Sequence, residues 1–345
     1  MNKVVLLALY LLSLPLLSQK SFQKHFLNNS RPSSENLQIP FNDDHGNQGH
    51  LPIAIFKGKS EGPVFTIVAG VHGFEYPPIM AVQELLQEFD PNKLEGDLIV
   101  IPIANMGGFY GREPYYNPQD KINLNNAFPG DVAGSITQRL AAYITSEIIP
   151  VTDVFLDIHG GDAPEDLLPF VCYYRNTDKP EQTQLAKELS ESAGFEYVVS
   201  YAYTISDDEP AKYAFKQAVQ DSKTGVSFEA GKLGTVQADA VSLIKNGVYN
   251  MLKNLKMYQH ETTRTKRRIR LNDQVYIRST RSGIFYSALK AGDTVSKGQK
   301  VGYTTDEFGT VLEEYEAPIT GIILYNLATP PINKGDTVMC IGAKS

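Results

Sequence analysis

Three residues in this chain have the types and spacing of a catalytic metal site. His72 and Glu75 lie three apart in Gly70-Val71-His72-Gly73-Phe74-Glu75, and His159 stands in Leu156-Asp157-Ile158-His159-Gly160-Gly161-Asp162. Two imidazoles and one carboxylate form the ligand set of a catalytic zinc, with a fourth position left for water. The ligand types favour zinc over other divalent ions. An HxxE spacing alone also suits a solvated helix face, so its context matters. The chain has 6 histidines, and these two each follow an apolar β-type run and are flanked by glycines. The attacking water also needs a base. Glu229, in Ser227-Phe228-Glu229-Ala230-Gly231, follows a third such run and is the best candidate. A carboxylate there would take the proton of the water and pass it to a leaving amine.

The elements that must position these groups are legible around them. Residues 64–69 and 154–158 read as short strands, as do 98–103 and 225–228. Pro77-Pro78 opens a helix whose Val82, Leu85, Leu86 and Phe89 share one face, and Asp90-Pro91 closes it. This alternation, over residues 51–262, predicts an α/β sheet covered by helices, with the ligand clusters at the carboxyl ends of its strands. Asp157, two residues before His159 on one strand, projects the same way. It either orients that ligand from behind or is a buried, hydrogen-bonded structural acid. Residues 264–345 change texture. Short β-type runs separated by Ala291-Gly292-Asp293, Lys297-Gly298 and Lys334-Gly335-Asp336 predict a small all-β domain.

With 345 residues and 42% apolar content, the chain can bury a full core and carry two domains. Its net charge of −7 argues against nucleic acid as a general partner. The basic run from Arg264 to Arg270 reads as a solvated linker. At the N-terminus, Lys3, the apolar stretch Val4 to Leu17 and polar Ser18 read as an export signal over 1–18, placing the mature protein in the periplasm or outside. The stretch is short for a membrane span and is interrupted by Ser13 and Pro15, so stable membrane insertion is not expected. Residues 19–50 are polar and read as a mobile leader, in which Asp43-Asp44-His45 and His50 mark a turn-rich loop rather than a metal site. Cys172 and Cys340 fall in different domains and read as buried free thiols, although a bridge is open to them if they meet.

The ordered set His72-x-x-Glu75, Asn123-Leu124-Asn125-Asn126-Ala127-Phe128-Pro129-Gly130, Asp157-Ile158-His159 and Glu229-Ala230-Gly231 resembles the succinylglutamate desuccinylase/aspartoacylase family, a deacylase branch of the zinc carboxypeptidases. Glu316-Ala317-Pro318-Ile319-Thr320-Gly321-Ile322 resembles that family's C-terminal module. The resemblance implies a zinc-carboxypeptidase-like three-layer sandwich with a mixed sheet, plus a small C-terminal all-β domain. It implies one Zn2+ per chain on His72, Glu75 and His159, with Glu229 as general base. Arg112 would polarise the scissile carbonyl, and Asn125 would hold a polar end of the substrate. The family's tyrosine has no assigned counterpart, and Tyr201 and Tyr203 either line a cleft or pack on a strand. One departure stands out. The family pattern reads Asn-Leu-Asn-Arg where this chain has Asn126. Arginine binds a carboxylate with two donors and a fixed charge, which asparagine lacks. The expected activity is therefore a zinc amidohydrolase acting on a small acylated amine or peptide-like substrate with altered carboxylate recognition. A zinc carboxypeptidase acting on peptides and a binding protein that keeps the metal without catalysis are the alternatives.

Overall fold

The apolar runs that precede the candidate ligands become neighbouring strands. The computed structural model describes residues 22–261 and 267–344, so the expected export segment lies outside the described residues. The described chain opens with α1 (Phe22–Asn28) and a hairpin of β1 (Ser33–Asn42) and β2 (Gln48–Lys57). There follow β3 (Ser60–Ala69), α2 (Tyr76–Glu88), β4 (Glu95–Ile101), α3 (Met106–Gly111) and α4 (Ile136–Tyr143). Next come β5 (Val154–His159), β6 (Glu165–Leu167), β7 (Phe170–Arg175) and α5 (Pro180–Ser192). Then β8 (Tyr197–Ala202), α6 (Ala214–Gln220), β9 (Thr224–Glu229) and α7 (Ala238–Asn254) complete the α/β part.

Strands β4, β3, β5 and β9 run parallel side by side, whereas β7 is antiparallel to β9. Every residue of β5 is buried, as a strand covered on both faces requires. Helices α2, α5 and α7 cover one face through Leu85, Leu189, Ile244 and Val248. Helices α1, α4 and α6 cover the other through Phe26, Leu140 and Ala218. This is the expected three-layer sandwich with a mixed sheet. Pro77 and Pro78 fill the first turn of α2, where their missing N–H groups leave no bond unmade.

The C-terminal part comprises β10 (Ile269–Arg278), β11 (Gly283–Tyr286), β12 (Thr294–Val295), β13 (Lys300–Thr305), β14 (Val311–Glu316), β15 (Gly321–Leu327), β16 (Pro331–Ile332) and β17 (Thr337–Lys344). Strands β14, β13, β11 and β16 form a small sheet. A core that includes Phe285, Val301, Tyr315, Ile323 and Ile341 joins it to the strands beneath. The small β region is present, but only those four strands form a sheet of their own. Strand β10 adds to β8 in parallel, and β17, β15 and β12 extend the same 13-stranded sheet among the described residues. The change in composition near residue 264 marks no break in hydrogen bonding.

The mobile leader expected over 19–50 is corrected. Its described part forms α1 and the β1–β2 hairpin at the sheet edge. Leu37, Ile39 and Phe41 recur with period two and pack on the core, while Gln38 and Pro40 between them face water. Average polarity hid that alternation. Asp43 closes the hairpin, accepting from the N–H groups of His45, Asn47 and Ile136. In the described part of the basic run, Arg268 and Arg270 both meet Glu191 at the end of α5. Cys172 and Cys340 are buried and free. Strands β8 and β10 lie between theirs in the sheet, a separation of about 14 Å, too far for a bridge.

Candidate functional site

The carboxyl ends of β3, β5 and β9 bring the candidate residues together. Beyond β3, Gly70 takes a left-handed φ of 66° and its carbonyl accepts from Asn105 N–H. Gly73 then presses against the first turns of α3, where a Cβ would overlap the Gly108 carbonyl carbon. Only glycine permits that approach, which fixes the loop carrying His72 and Glu75. His159 is the last residue of β5 and stands opposite Glu229 in the β5–β9 register.

His72 Nδ1 lies 2.7 Å from Glu75 Oε1, and His159 Nδ1 lies 3.0 Å from Glu75 Oε2. One ligand atom from each residue falls within 4.8 Å of the other two. Glu75 and His159 are buried and His72 nearly so. The other ring nitrogens face oxygens. His72 Nε2 is 3.2 Å from Asn123 Oδ1, and His159 Nε2 is 3.2 Å from Asp157 Oδ1, off the line of a good hydrogen bond. An imidazole whose Nε2–H is directed at an oxygen presents its Nδ1 lone pair, as a metal ligand must. These residues therefore fit a divalent ion.

Electrostatics agree with that donor set. Burial would raise the Glu75 carboxyl, but the His72 and His159 imidazoles outweigh it and hold the group down at about 2. Burial opposes a charge on His159, yet Asp157 and Glu75 together raise its basicity. Glu229 is different. Burial pushes its carboxyl up to about 8 against the pull of His159, with Glu75 and Asp157 pushing further. A carboxyl poised near neutrality can take a proton and return it.

The residues expected to bind substrate are less uniformly placed. Asn125 donates its N–H to Asn123 Oδ1, and its own side-chain Oδ1 is buried without a partner. Asn126 is exposed. Arg112 is also exposed, at the end of α3 with a left-handed φ of 53°. From this loop it is Tyr115 that packs on His72, edge to face at 5.8 Å. Tyr201 is enclosed by the fold within electrostatic reach of Glu229. Asn123 and Tyr115 were missed in the sequence. Asn123 begins the same motif as Asn125, but only the tight turn over 124–126 aims it at His72. Tyr115 sits among other tyrosines with no spacing to distinguish it.

The mixed α/β sheet ends in a His-Glu-His cluster, and a small β module continues that sheet. The succinylglutamate desuccinylase/aspartoacylase catalytic domain matches residues 61–255, more than half of the chain. The chain belongs to this family, whose members act as deacylases on N-acyl amino acids. It is 29% identical over 315 residues to the N-alpha-acetyl-L-2,4-diaminobutyric acid deacetylase of Halomonas elongata, covering 88% of this chain and 90% of that protein. Among solved structures, a succinylglutamate desuccinylase from Silicibacter sp. superposes with a TM-score of 0.80 at 25% identity, covering 91% of this chain and 95% of the other. The product-bound ectoine utilization protein EutE (DoeB) of Ruegeria pomeroyi shares the fold with a TM-score of 0.81 at 24% identity, over 91% and 96% of the two chains.

Proposed function

We propose that the chain is a zinc-dependent amidohydrolase that removes the acyl group from a small acylated amine. The observation that carries this reading is the meeting of His72, Glu75 and His159 with Glu229 directly opposite on the next strand. Zinc, when bound, supplies the Lewis acidity that makes water nucleophilic near neutral pH and polarises the scissile carbonyl. The Nδ1 atoms of both histidines and the Glu75 carboxylate would hold it, with Asn123 and Asp157 fixing the imidazoles from behind. Glu229 takes the proton of the attacking water and delivers it to the leaving nitrogen. Asn125, with its unpaired Oδ1, accepts an N–H of the substrate. We assign exposed Arg112 to the rim of the cleft rather than to the carbonyl. Asn126 leaves a substrate α-carboxylate without a charged clamp at this position. The deacetylase of H. elongata, by its name, acts on an acetylated diamino acid, which supports an N-acylated amino acid or amine as the substrate class.

Metal content and hydrolysis, measured together, test the proposal. The panel contains N-acyl amino acids, their carboxyl-blocked esters and amides, and short peptides. One zinc per chain, with turnover lost on chelation and restored by zinc, is expected. Turnover that survives both thorough zinc removal and Glu229→Gln would sink the reading. Residues 1–18 are assigned to export, and N-terminal sequencing of the protein from a periplasmic or culture fraction should find them removed.

A further inference from the structure

A cleft of about 860 Å³ opens between the small sheet and the loop that follows β9, and none of His72, Glu75, His159 and Glu229 lines it. Its floor is a cross-strand pair. Asp166 of β6 stands opposite Asn326 of β15 in the antiparallel register, so the two side chains leave the same face. Asp166 is satisfied, because one carboxylate oxygen accepts from Lys232 Nζ at 2.8 Å and the other from Ala291 N–H at 2.9 Å. Asn326 is not. It is only 5% exposed, and its Nδ2 donates to the Leu289 carbonyl at 3.2 Å. That bond fixes the amide and leaves Oδ1 as an acceptor buried without a partner. A ligand that brings an O–H or N–H to Oδ1 makes a bond that the free protein lacks.

The walls add charge and aromatic surface. The charged residues that line the cleft are Lys232, Lys290, Lys300 and Asp166, three cations against one anion in a chain whose net charge is −7. Lys232 is paired with Asp166, and Lys300 with Glu314. Lys290 is exposed and makes no ion pair among the described residues. Tyr286 of β11 and Tyr303 of β13 stand opposite each other in register. Their rings are near parallel at 14°, with centroids 5.1 Å apart, and Lys300 Nζ lies 5.2 Å from the Tyr303 centroid. Tyr286 remains half exposed. Its stacked neighbour already holds it, so it offers ring surface without having to be ordered on binding.

We propose that this cleft binds an acidic carbohydrate. Lys290 and Lys232 take its carboxylate through charge-assisted hydrogen bonds, a ring hydroxyl donates to Asn326 Oδ1, and the C–H face of a sugar ring lies on Tyr286. Simpler ligands use only part of this surface. A bare anion is repelled by the Asn326 oxygen and leaves the tyrosines idle, and an apolar molecule leaves the lysines without a partner. Sugar C–H groups suit the negative face of an aromatic ring. The volume lies in the range of about 300–1,000 Å³ usual for ligand sites. The inference stands apart from the deacylase reading, since no residue of the metal site takes part in it.

Calorimetric titration of the full chain with trigalacturonate tests this, beside the neutral galactose trimer and a tripeptide of glutamate at the same ionic strength. The acidic sugar should bind about tenfold or more tighter than the neutral one, and tighter than the peptide. Its affinity should fall as salt rises, because Lys290 is open to solvent. Lys290→Glu should abolish the preference for the acidic sugar, and Tyr286→Ala should weaken its binding about three- to tenfold. Both side chains are exposed, and unchanged melting temperatures would show that the variants fold. No binding of trigalacturonate at millimolar concentration, equal binding of the acidic and neutral sugars, or an affinity unchanged in either variant overturns the proposal. Peptide binding as tight as that of the sugar also overturns it, since the cleft would then read charge alone.

Discussion

Glu229 carries the clearest conflict between stability and chemistry. Its carboxyl ordinarily titrates at 4.5 and in the folded, metal-free chain is pushed up to about 8. Between those values the folded chain holds a proton that the unfolded chain has lost. Stability of the metal-free protein therefore falls as pH rises through that window. Glu229→Gln should raise the melting temperature of the metal-free protein at pH 8, with a smaller gain near pH 5, as scanning calorimetry would register. The same substitution should lower kcat by about 10²–10⁴-fold while zinc content is kept. Asn126→Arg is the complementary change, adding a function rather than removing one. It should improve kcat/KM for free-carboxylate substrates relative to their carboxyl-blocked forms, and an unchanged ratio would show that the position does not read the carboxylate. At this scale the sequence was legible wherever a residue's role follows from its type and immediate neighbours, as with His72, Glu75 and His159. It was silent on Asn123 and Tyr115. Their positions depend on a tight turn and a loop that no local pattern announces.

The elements hold these groups through a few close approaches. Gly73 lets the ligand loop touch the start of α3, and Asn105, the residue before that helix, ties back to Gly70. Gly73→Ala should cost about 1–3 kcal/mol through overpacking and should weaken zinc binding, which denaturant melts and competition with a chelator would measure. A variant with unchanged affinity would mean that the loop absorbs the methyl without moving His72. The central strands were readable because burial on both faces makes them continuously apolar. The β1–β2 hairpin was not, because an edge strand half in water has a polar average and reveals itself only in the alternation of Leu37, Ile39 and Phe41.

At the scale of the whole molecule, the fold class could be read from the order of strand and helix patterns, whereas the union of the two parts could not. Hydrogen bonding between strands 70 or more residues apart leaves no local mark. Removing residues 263–345 should therefore do more than delete a module. It strips β10 from β8 and β15 from β6, exposing two open edges. The truncated chain is expected to be insoluble or to melt well below the full-length protein. A soluble fragment with full zinc binding would contradict this.

The short strand β6 has a consequence for turnover. It is bonded to β15 on one side, while β10 bonds to β8 elsewhere, so the C-terminal part is riveted to the catalytic part at two separate lines. A body attached along two such lines has no free hinge axis, and the cleft cannot be opened by swinging it like a door. Substrate entry and product exit must then depend on loops and side chains at the mouth, and the rate of turnover should be insensitive to solvent viscosity acting on large-scale motion.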